Sequence, residues 1–265
     1  MRSLKDKLAW ITGAGTGIGE GSANALARLG MKVVLSGRRR EMLEAVAKGI
    51  DGEVVVEPLD VADRDAVSDV AARVLAQHGP IDTLVLSAGI NVKKRNWHNV
   101  SLDDWDDVIR IDLDGAFYCA KAVLPAMIDN GGGLIVNISS WAGRQVSIVT
   151  GPAYTAAKHA MNAMNESLNM EAGLHGVRAC AICPGEVATP ILDNRPIPVS
   201  DADRAQMVQS DDCGDVVAFI AQLPEHVCIN ELTISPTWNR GYVAQAQRML
   251  PVSYTHLTLP TILLV

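Results

Sequence analysis

The sequence has few cysteines and no apolar run long enough to cross a membrane. Five cysteines in 265 residues are an odd and small number, which fits free thiols better than a disulfide framework. A membrane-spanning helix needs roughly 20 apolar residues, and the N-terminus reaches a glycine-rich turn too early for the apolar core of a secretion signal. We therefore expect a cytoplasmic protein that does not associate with membranes.

Positive charge and metal-binding patterns are scarce as well. The net charge of −7 leaves no basic stripe to neutralise phosphates, which argues against a nucleic-acid partner. One tight basic cluster, Arg38 to Arg40, stands out. The six histidines are scattered, and Cys180 and Cys183 lie in an apolar run typical of a buried strand, so we expect no metal site.

Short apolar runs alternate with longer segments of helical period, which is typical of repeated βαβ units. Apolar residues from Val67 to Leu75 are spaced as on one face of a helix, and Gly30 and Gly79 stand where helices end. Seven runs predict strands: "LAWIT", "KVVLSG", "EVVVEPL", "IDTLVLSAG", "GLIVNIS", "VRACAIC" and "ELTIS". We predict an α/β fold with a seven-stranded parallel sheet and helices on both faces.

The connections are short, so we expect one domain over residues 1–250. Residues 190–212 combine prolines and charges with few large apolar side chains and predict a mobile substrate lid, although a plain surface loop fits this composition equally well. Residues 251–265 contain no Lys, Arg, Asp or Glu. We interpret them as a non-native or disordered tail, and an arm that packs on a neighbouring subunit stays an alternative.

The first chemically informative stretch is "TGAGTGIGEG", residues 12–21, between a predicted strand and a predicted helix. Glycines at 13, 17 and 19 allow a tight turn and a close approach of the backbone to a pyrophosphate. The N-terminus of the following helix offers unpaired N–H groups to that anion. The alternative is a glycine-rich turn without a ligand, which the strand-turn-helix context disfavours.

The turn has the form T-G-x-x-x-G-x-G, and here the sequence resembles the short-chain dehydrogenase/reductase family. Further segments match in the family's order: "LDV" at 59–61, "SAG" at 87–89, "IVNISS" at 135–140, Tyr154-x-x-x-Lys158 and "CPGEVATP" at 183–190. The resemblance covers roughly residues 5 to 235. It implies a Rossmann-like, doubly wound sheet, a nicotinamide cofactor and an oxidoreductase that acts on CH–OH donors.

Tyr154 and Lys158 lie one turn apart on a predicted helix, where the ammonium favours the phenolate. Lowering a tyrosine pKa from near 10 to about 7 takes about 4 kcal/mol, after which the phenol exchanges protons with an alcohol or carbonyl. Without the surrounding motifs, an ordinary helix pair would be the better interpretation. Ser140 would orient the substrate oxygen, and the family pattern selects it over Ser139.

Two positions depart from the family pattern. Asp112, the fourth predicted catalytic residue, stands where the family has an asparagine. Its charge would compete for Lys158, which leaves proton relay open. Ser87 stands where an asparagine is also expected, and we expect it to weaken a hydrogen bond that braces the sheet more than it alters the chemistry.

The end of the second predicted strand decides the cofactor. An acidic residue there would bind the ribose 2′-hydroxyl of NAD, whereas this chain has Arg38 and Arg39, which suit the 2′-phosphate of NADP. We favour NADP, with NAD possible; a solvated helix start is the alternative for these arginines. The predicted cofactor site comprises Gly13, Gly15, Thr16, Gly17, Ile18, Gly19, Arg38, Arg39, Asp60, Val61, Ser87, Ala88, Gly89, Tyr154, Lys158, Pro184, Gly185, Val187 and Thr189.

We therefore predict an NADP-dependent oxidoreductase that transfers a hydride between the cofactor and a small secondary alcohol or ketone. Two alternatives stay open: a catalytically weak NADP(H)-binding regulator or sensor, and a structural subunit with a vestigial dinucleotide turn. Trp141 and Gln145 are expected to line the substrate pocket. No cluster of arginines in the sequence predicts a multiply charged substrate.

The resemblance also implies a homodimer or homotetramer, with a monomer as the alternative. The contacts would come from predicted helices at 101–128 and 152–174. On the second of these helices we expect Ala160, Met161 and Met164 to point outward.

Overall fold

In a computed structural model, which describes residues 1–250, seven strands form one parallel sheet in the order β3-β2-β1-β4-β5-β6-β7. The strands are β1 Leu8–Thr12, β2 Lys32–Gly37, β3 Val54–Pro58, β4 Thr83–Leu86, β5 Gly133–Ile138, β6 Val177–Pro184 and β7 Glu231–Ile234. Each overlaps the run that predicted it, so the predicted sheet is confirmed. The strand order reverses between β1 and β4, and a crevice forms at their carboxyl ends.

The helices are α1 Gly17–Arg28, α2 Arg40–Gly49, α3 Arg64–His78, α4 Leu102–Ile109, α5 Gly115–Asp129, α6 Pro152–Ala172, α7 Asp201–Ala205, α8 Ser210–Ala221 and α9 Arg240–Met249. Gly30 and Gly79, predicted at helix ends, follow α1 and α3 with φ of +81° and +84°. Within residues 1–250, every helix falls short of the length and apolar character needed to cross a bilayer.

Two apolar clusters cover the two faces of the sheet. Trp10 packs with residues of α3, α5 and α6, whereas its neighbour Ile11 packs with residues of α1, α2 and α8. Successive side chains of a strand point to opposite faces, so one strand contributes to both clusters. This two-sided packing confirms the doubly wound, Rossmann-like fold.

The prediction that Met161 points outward from its helix is wrong. Met161 is fully buried in the cluster beneath α6, and Met164 is half-buried against the same cluster. Met161 follows Tyr154 and Lys158 at i+7 and i+3, so it shares the helix face that lies on the sheet. These two methionines therefore give no support to an oligomer interface, and the predicted homo-oligomer stays a prediction.

Two further segments refine the predictions. The predicted helix at 101–128 is divided by a π-helical turn, Arg110–Asp114, which buries Asp112. The predicted lid at 190–212 contains a 3₁₀ turn, Pro190–Asn194, and α7, with Leu192 and Met207 buried. Its role as a lid stays a prediction, as does the single domain. The predicted tail at 251–265 lies outside the described residues.

Candidate active site

A cleft of about 840 Å³ opens at the carboxyl ends of β1, β4, β5 and β6. Trp141 and Gln145 line it, as predicted for a substrate pocket. So do Gly13, Gly15, Thr16, Gly17, Ile18, Arg38, Arg39, Asp60, Val61, Ser87, Ala88, Gly89, Asp112, Ser140, Tyr154, Lys158, Pro184, Gly185, Val187 and Thr189. The structure thus brings together every predicted site residue except Gly19.

The turn after β1 is shaped by close backbone contacts. Gly13 has a φ of +65°, and a Cβ on it would stand 2.8 Å from the backbone of Ala88. Gly17, with a φ of +62°, opens α1, and the side chain of Thr16 makes no capping hydrogen bond there. The first N–H groups of α1 are therefore left uncapped by that side chain, at the wall of the cleft. Because such N–H groups bind anions, the turn fits a pyrophosphate.

Gly19 is the one predicted cofactor residue that does not line the cleft, and its contact with the cofactor stays a prediction. A Cβ on Gly19 would stand 2.3 Å from the carbonyl oxygen of Gly13. Its α-carbon therefore packs behind the turn, where no side chain fits, and holds the turn in place without lining the cleft.

Thr12 braces β1 to β4 beside this turn. Its Oγ1 accepts hydrogen bonds from the backbone N–H groups of Ser87 and Ala88, each at 3.2 Å. The two strand ends are therefore linked through Thr12, although residue 87 is a serine.

Arg38 and Arg39 stand exposed at the end of β2 and line the cleft. Neither forms an ion pair within the described part of the chain, whereas Arg40 lies 3.6 Å from Glu44. Two unpaired guanidinium groups beside an anion-binding turn fit a phosphorylated dinucleotide, because arginine binds phosphate through paired N–H donors.

The first turns of α6 bring Tyr154 and Lys158 to the cleft. Lys158 is buried, its Nζ donates to the carbonyl oxygen of Ile138 at 3.1 Å, and it lies 5.4 Å from the centroid of the Tyr154 ring. Ser140 is partly exposed, and its Oγ accepts from the N–H of Ala142 at 3.1 Å. Ser139 is buried and donates to the Lys158 carbonyl at 3.4 Å. Ser140 is therefore the more accessible hydroxyl of the two.

Asp112 forms a buried pair with Lys158. Its Oδ1 accepts from the N–H of Ile90 at 2.7 Å, and its Oδ2 lies 3.5 Å from the Lys158 Nζ. Burial raises the pKa of Asp112 above its usual range and outweighs the pull of Lys158. Burial works against the charged form of Lys158, yet Asp112 and Tyr154 together hold its pKa above the usual range. Lys158 is thus an ammonium at neutral pH.

In the chain alone, the pKa of Tyr154 is raised. The expectation of a value near neutrality, which counts the positive nicotinamide of a bound cofactor as well as Lys158, stays a prediction. Burial is the largest cause of the raised pKa, and the carboxylate of Asp112 adds to it. The Lys158 ammonium, the Ser140 hydroxyl and the Arg95 guanidinium act in the opposite direction. The sequence argument counted the lysine but not the cost of burying a phenolate.

The cleft also contains arginines that the sequence did not predict together. Arg95, Arg195 and Arg240 line it, and Arg195 and Arg240 each contact Glu186 at 2.6 Å. Since Arg195 and Arg240 share Glu186, they do not contradict the absence of a sequence signal for a multiply charged substrate. These arginines come from segments far apart in the chain, so no local spacing indicated that they meet.

Comparison with known proteins places these features in a family. The model of the family described as short chain dehydrogenase matches residues 7–197. An uncharacterised oxidoreductase of Staphylococcus aureus strain MRSA252 is 33% identical over 237 residues, which cover 89% of this chain and 100% of that protein.

Two solved structures are similar to this chain. An alcohol dehydrogenase from the archaeon Thermococcus sibiricus, complexed with 5-hydroxy-NADP, has a TM-score of 0.80 and 28% identity, covering 88% of this chain and 98% of that one. A metagenomic short-chain oxidoreductase in complex with NADP has a TM-score of 0.78 and 34% identity, covering 89% and 100%.

Proposed function

The chain belongs to the short-chain dehydrogenase family, and from that premise we propose that it transfers a hydride between NADP and a small secondary alcohol or ketone. It is an oxidoreductase that acts on CH–OH donors. One observation carries the finer proposal: Tyr154, Lys158 and Ser140 share a single cleft with the glycine turn and with two unpaired arginines.

The cofactor would lie along the wall formed by the turn after β1. The backbone at Gly13, Thr16 and Gly17 would hold the pyrophosphate, and Arg38 and Arg39 would hold the 2′-phosphate. NADP is favoured over NAD because arginines occupy the end of β2, where an acidic residue would bind a ribose hydroxyl. Support also comes from two of the similar solved structures, which were complexed with 5-hydroxy-NADP and with NADP. When bound, the nicotinamide donates or accepts the hydride.

The residues of the chain would handle the proton. Tyr154 keeps its proton at neutral pH because its pKa is raised, so it can donate this proton to a carbonyl oxygen. The Lys158 ammonium would stabilise the phenolate that remains, and the Ser140 hydroxyl would orient the substrate oxygen. In alcohol oxidation the Tyr154 phenolate would take the proton from the alcohol and become the phenol again.

A catalytically weak NADP(H)-binding regulator is the second candidate. One observation favours it: the carboxyl of Asp112, 3.5 Å from the Lys158 Nζ, opposes ionisation of Tyr154.

A panel of secondary alcohols and ketones, assayed by the absorbance of reduced nicotinamide with NADP(H) and with NAD(H), tests the proposal. We expect turnover with NADP(H), and we expect Tyr154→Phe to lose about 10²- to 10⁴-fold in kcat. Tyr118→Phe, which removes a phenol outside the cleft, is the matched control and should keep its activity. Tight NADPH binding without turnover of any panel member would favour the regulator.

A further inference from the structure

Arg95 is a buried cation of the cleft. We call the part of the cleft lined by Arg95, Lys158, Arg195 and Arg240, where the proposed function places the substrate, the substrate-facing wall. Arg95 is 5% exposed and donates hydrogen bonds to the carbonyl oxygens of Val149, at 3.4 Å, and Asn194. Its Nε is sealed from solvent and has no hydrogen-bond partner in the described part of the chain. No carboxylate within residues 1–250 forms an ion pair with it. An arginine keeps its charge in proteins, and a buried charge is costly unless it is paired.

The other cations on this wall are already compensated. Lys158 faces Asp112 at 3.5 Å, and Arg195 and Arg240 share Glu186. Arg240 also lies 3.5 Å from Asp203. The substrate-facing wall therefore has a surplus of one positive charge, at Arg95, whose field reaches Tyr154.

Arg178 shows how a purely structural buried arginine differs. It is also buried and also donates to backbone carbonyls, those of Val227 at 2.8 Å and Pro224 at 3.4 Å. It lies on β6 away from the cleft, and the charges of Arg2 and Glu225, which pair with each other, both act on it. Arg95 instead lines the cleft that holds the proton donor, and one of its N–H groups is unsatisfied.

We propose that the substrate carries a carboxylate that binds Arg95, so that the enzyme acts on hydroxy acids or oxo acids. The inference rests on the proposed function and names the substrate class of that site. A carboxylate carries the single negative charge that this wall lacks. Its two oxygens would accept hydrogen bonds from the second N–H group of each terminal guanidinium nitrogen, because the first is donated to a backbone carbonyl and the Nε is sealed from solvent. The hydroxyl or carbonyl at the other end of the same molecule would meet Tyr154 and Ser140.

Matched substrates test this on the wild-type enzyme with NADP. The panel comprises α- and β-hydroxypentanoate, their methyl esters and a neutral secondary pentanol. We expect kcat/KM for the better acid to exceed that for its ester by about 10- to 100-fold, as for a hydrogen bond to a charged group. Equal rates for acid and ester would overturn the inference.

Variants of Arg95 test whether this residue causes the preference for the acid over the ester. Arg95→Gln should lower kcat/KM for the acid by about 10- to 100-fold more than for the ester, whose rate also changes because the Arg95 charge acts on Tyr154. Arg95→Lys should keep part of the preference. Arg178→Gln, the matched control, should lower stability without changing the ratio of acid to ester. Equal losses on acid and ester in Arg95→Gln would make Arg95 a structural link between loops and overturn the inference.

The panel separates two kinds of failure. Turnover of the pentanol and the esters without preference for the acids would sink the inference and leave the proposed function intact. No turnover of any member would sink the proposed function, and the inference with it. If Arg95→Gln does not fold, the acid-to-ester ratio of the wild type decides.

Discussion

The turn after β1 and the wall around Arg95 lie at the same edge of the sheet, yet they are built differently. In the turn, backbone approaches backbone so closely that a Cβ on Gly13 or Gly19 would collide with it, and the nearby charges of Arg38 and Arg39 are exposed. On the other wall, side chains from distant segments bury charges, and all but one of the cations there face a carboxylate.

The contrast distinguishes binding that accepts any pyrophosphate, at the turn, from binding that selects one kind of ligand, at the wall around Arg95. A backbone turn recognises any pyrophosphate, because N–H groups and a helix terminus carry no information about the rest of the ligand. Buried side-chain charges select strongly, because an unpaired charge or donor in a closed site penalises the wrong ligand. We therefore expect changes in the turn to affect cofactor binding and fold together, and changes in the wall to affect chemistry and selectivity.

Lys158→Met should have the largest effect. Turnover should fall by about 10²- to 10⁴-fold because the phenolate loses its cation. At pH values above the raised pKa of Asp112, the free energy of unfolding should fall by up to about 3–5 kcal/mol, because the buried carboxylate loses its cationic partner. Urea denaturation and kcat measure the two effects. Lys158→Met combined with Asp112→Asn should recover stability but not turnover, and recovery of turnover would contradict the proposed role of Lys158.

Gly19→Ala should distort the turn after β1. The new Cβ would stand 2.3 Å from the Gly13 carbonyl oxygen, so the backbone must move, at a cost of about 1–3 kcal/mol. NADPH binding, followed by titration of nicotinamide fluorescence, should weaken with it. Gly49→Ala is the control, because nothing lies within 4 Å of the added Cβ. If Gly19→Ala binds NADPH as tightly as Gly49→Ala does, the close packing is not what shapes the site.

Substitution of Arg38 and Arg39, which are exposed at the end of β2 beside the turn, tests the choice between NADP and NAD. Changing both to glutamine should weaken NADPH binding by about 10- to 100-fold, the loss of charged hydrogen bonds, and leave NADH binding nearly unchanged. Arg40→Gln, which removes the neighbouring arginine paired with Glu44, is the control. The measurement is the dissociation constant of each cofactor. Equal losses of affinity for NADPH and NADH would contradict the proposal that these arginines bind the 2′-phosphate of NADP.

Asp112→Asn should have the smallest effect, a shift in pH dependence. The carboxylate raises the pKa of both Tyr154 and Lys158, so removing it should lower both values. Alcohol oxidation needs the deprotonated phenol, so the rising limb of its kcat/KM profile should move to lower pH. Asp114→Asn, on the same π-helical turn, is the control. A profile that stays in place or moves to higher pH would show that Asp112 does not act on Tyr154.

The sequence predicted the parts that depend on local pattern. Strands followed from apolar runs and the dinucleotide turn from glycine spacing in a strand-turn-helix context. The pair on α6 was chosen over an ordinary helix pair because of the surrounding motifs that resemble the family. It did not predict the Arg95 wall, because Arg95, Glu186 and Arg240 meet through the topology of the sheet and not through spacing along the chain. It also did not show the burial that raises the pKa of Tyr154 in the chain alone, because burial depends on packing from every side. Met161 was misplaced for the same reason.

The pH dependence of a single turnover tests the central claim, that the phenol of Tyr154 supplies the proton. Enzyme-bound NADPH is mixed with excess ketone or oxo acid, and its absorbance is followed across pH in the wild type and in Tyr154→Phe. We predict a wild-type rate that is constant near neutrality and falls only at alkaline pH, because the pKa of Tyr154 lies above the ordinary tyrosine value. The Tyr154→Phe rate should be slow and independent of pH. A variant with the rate and profile of the parent would contradict the account.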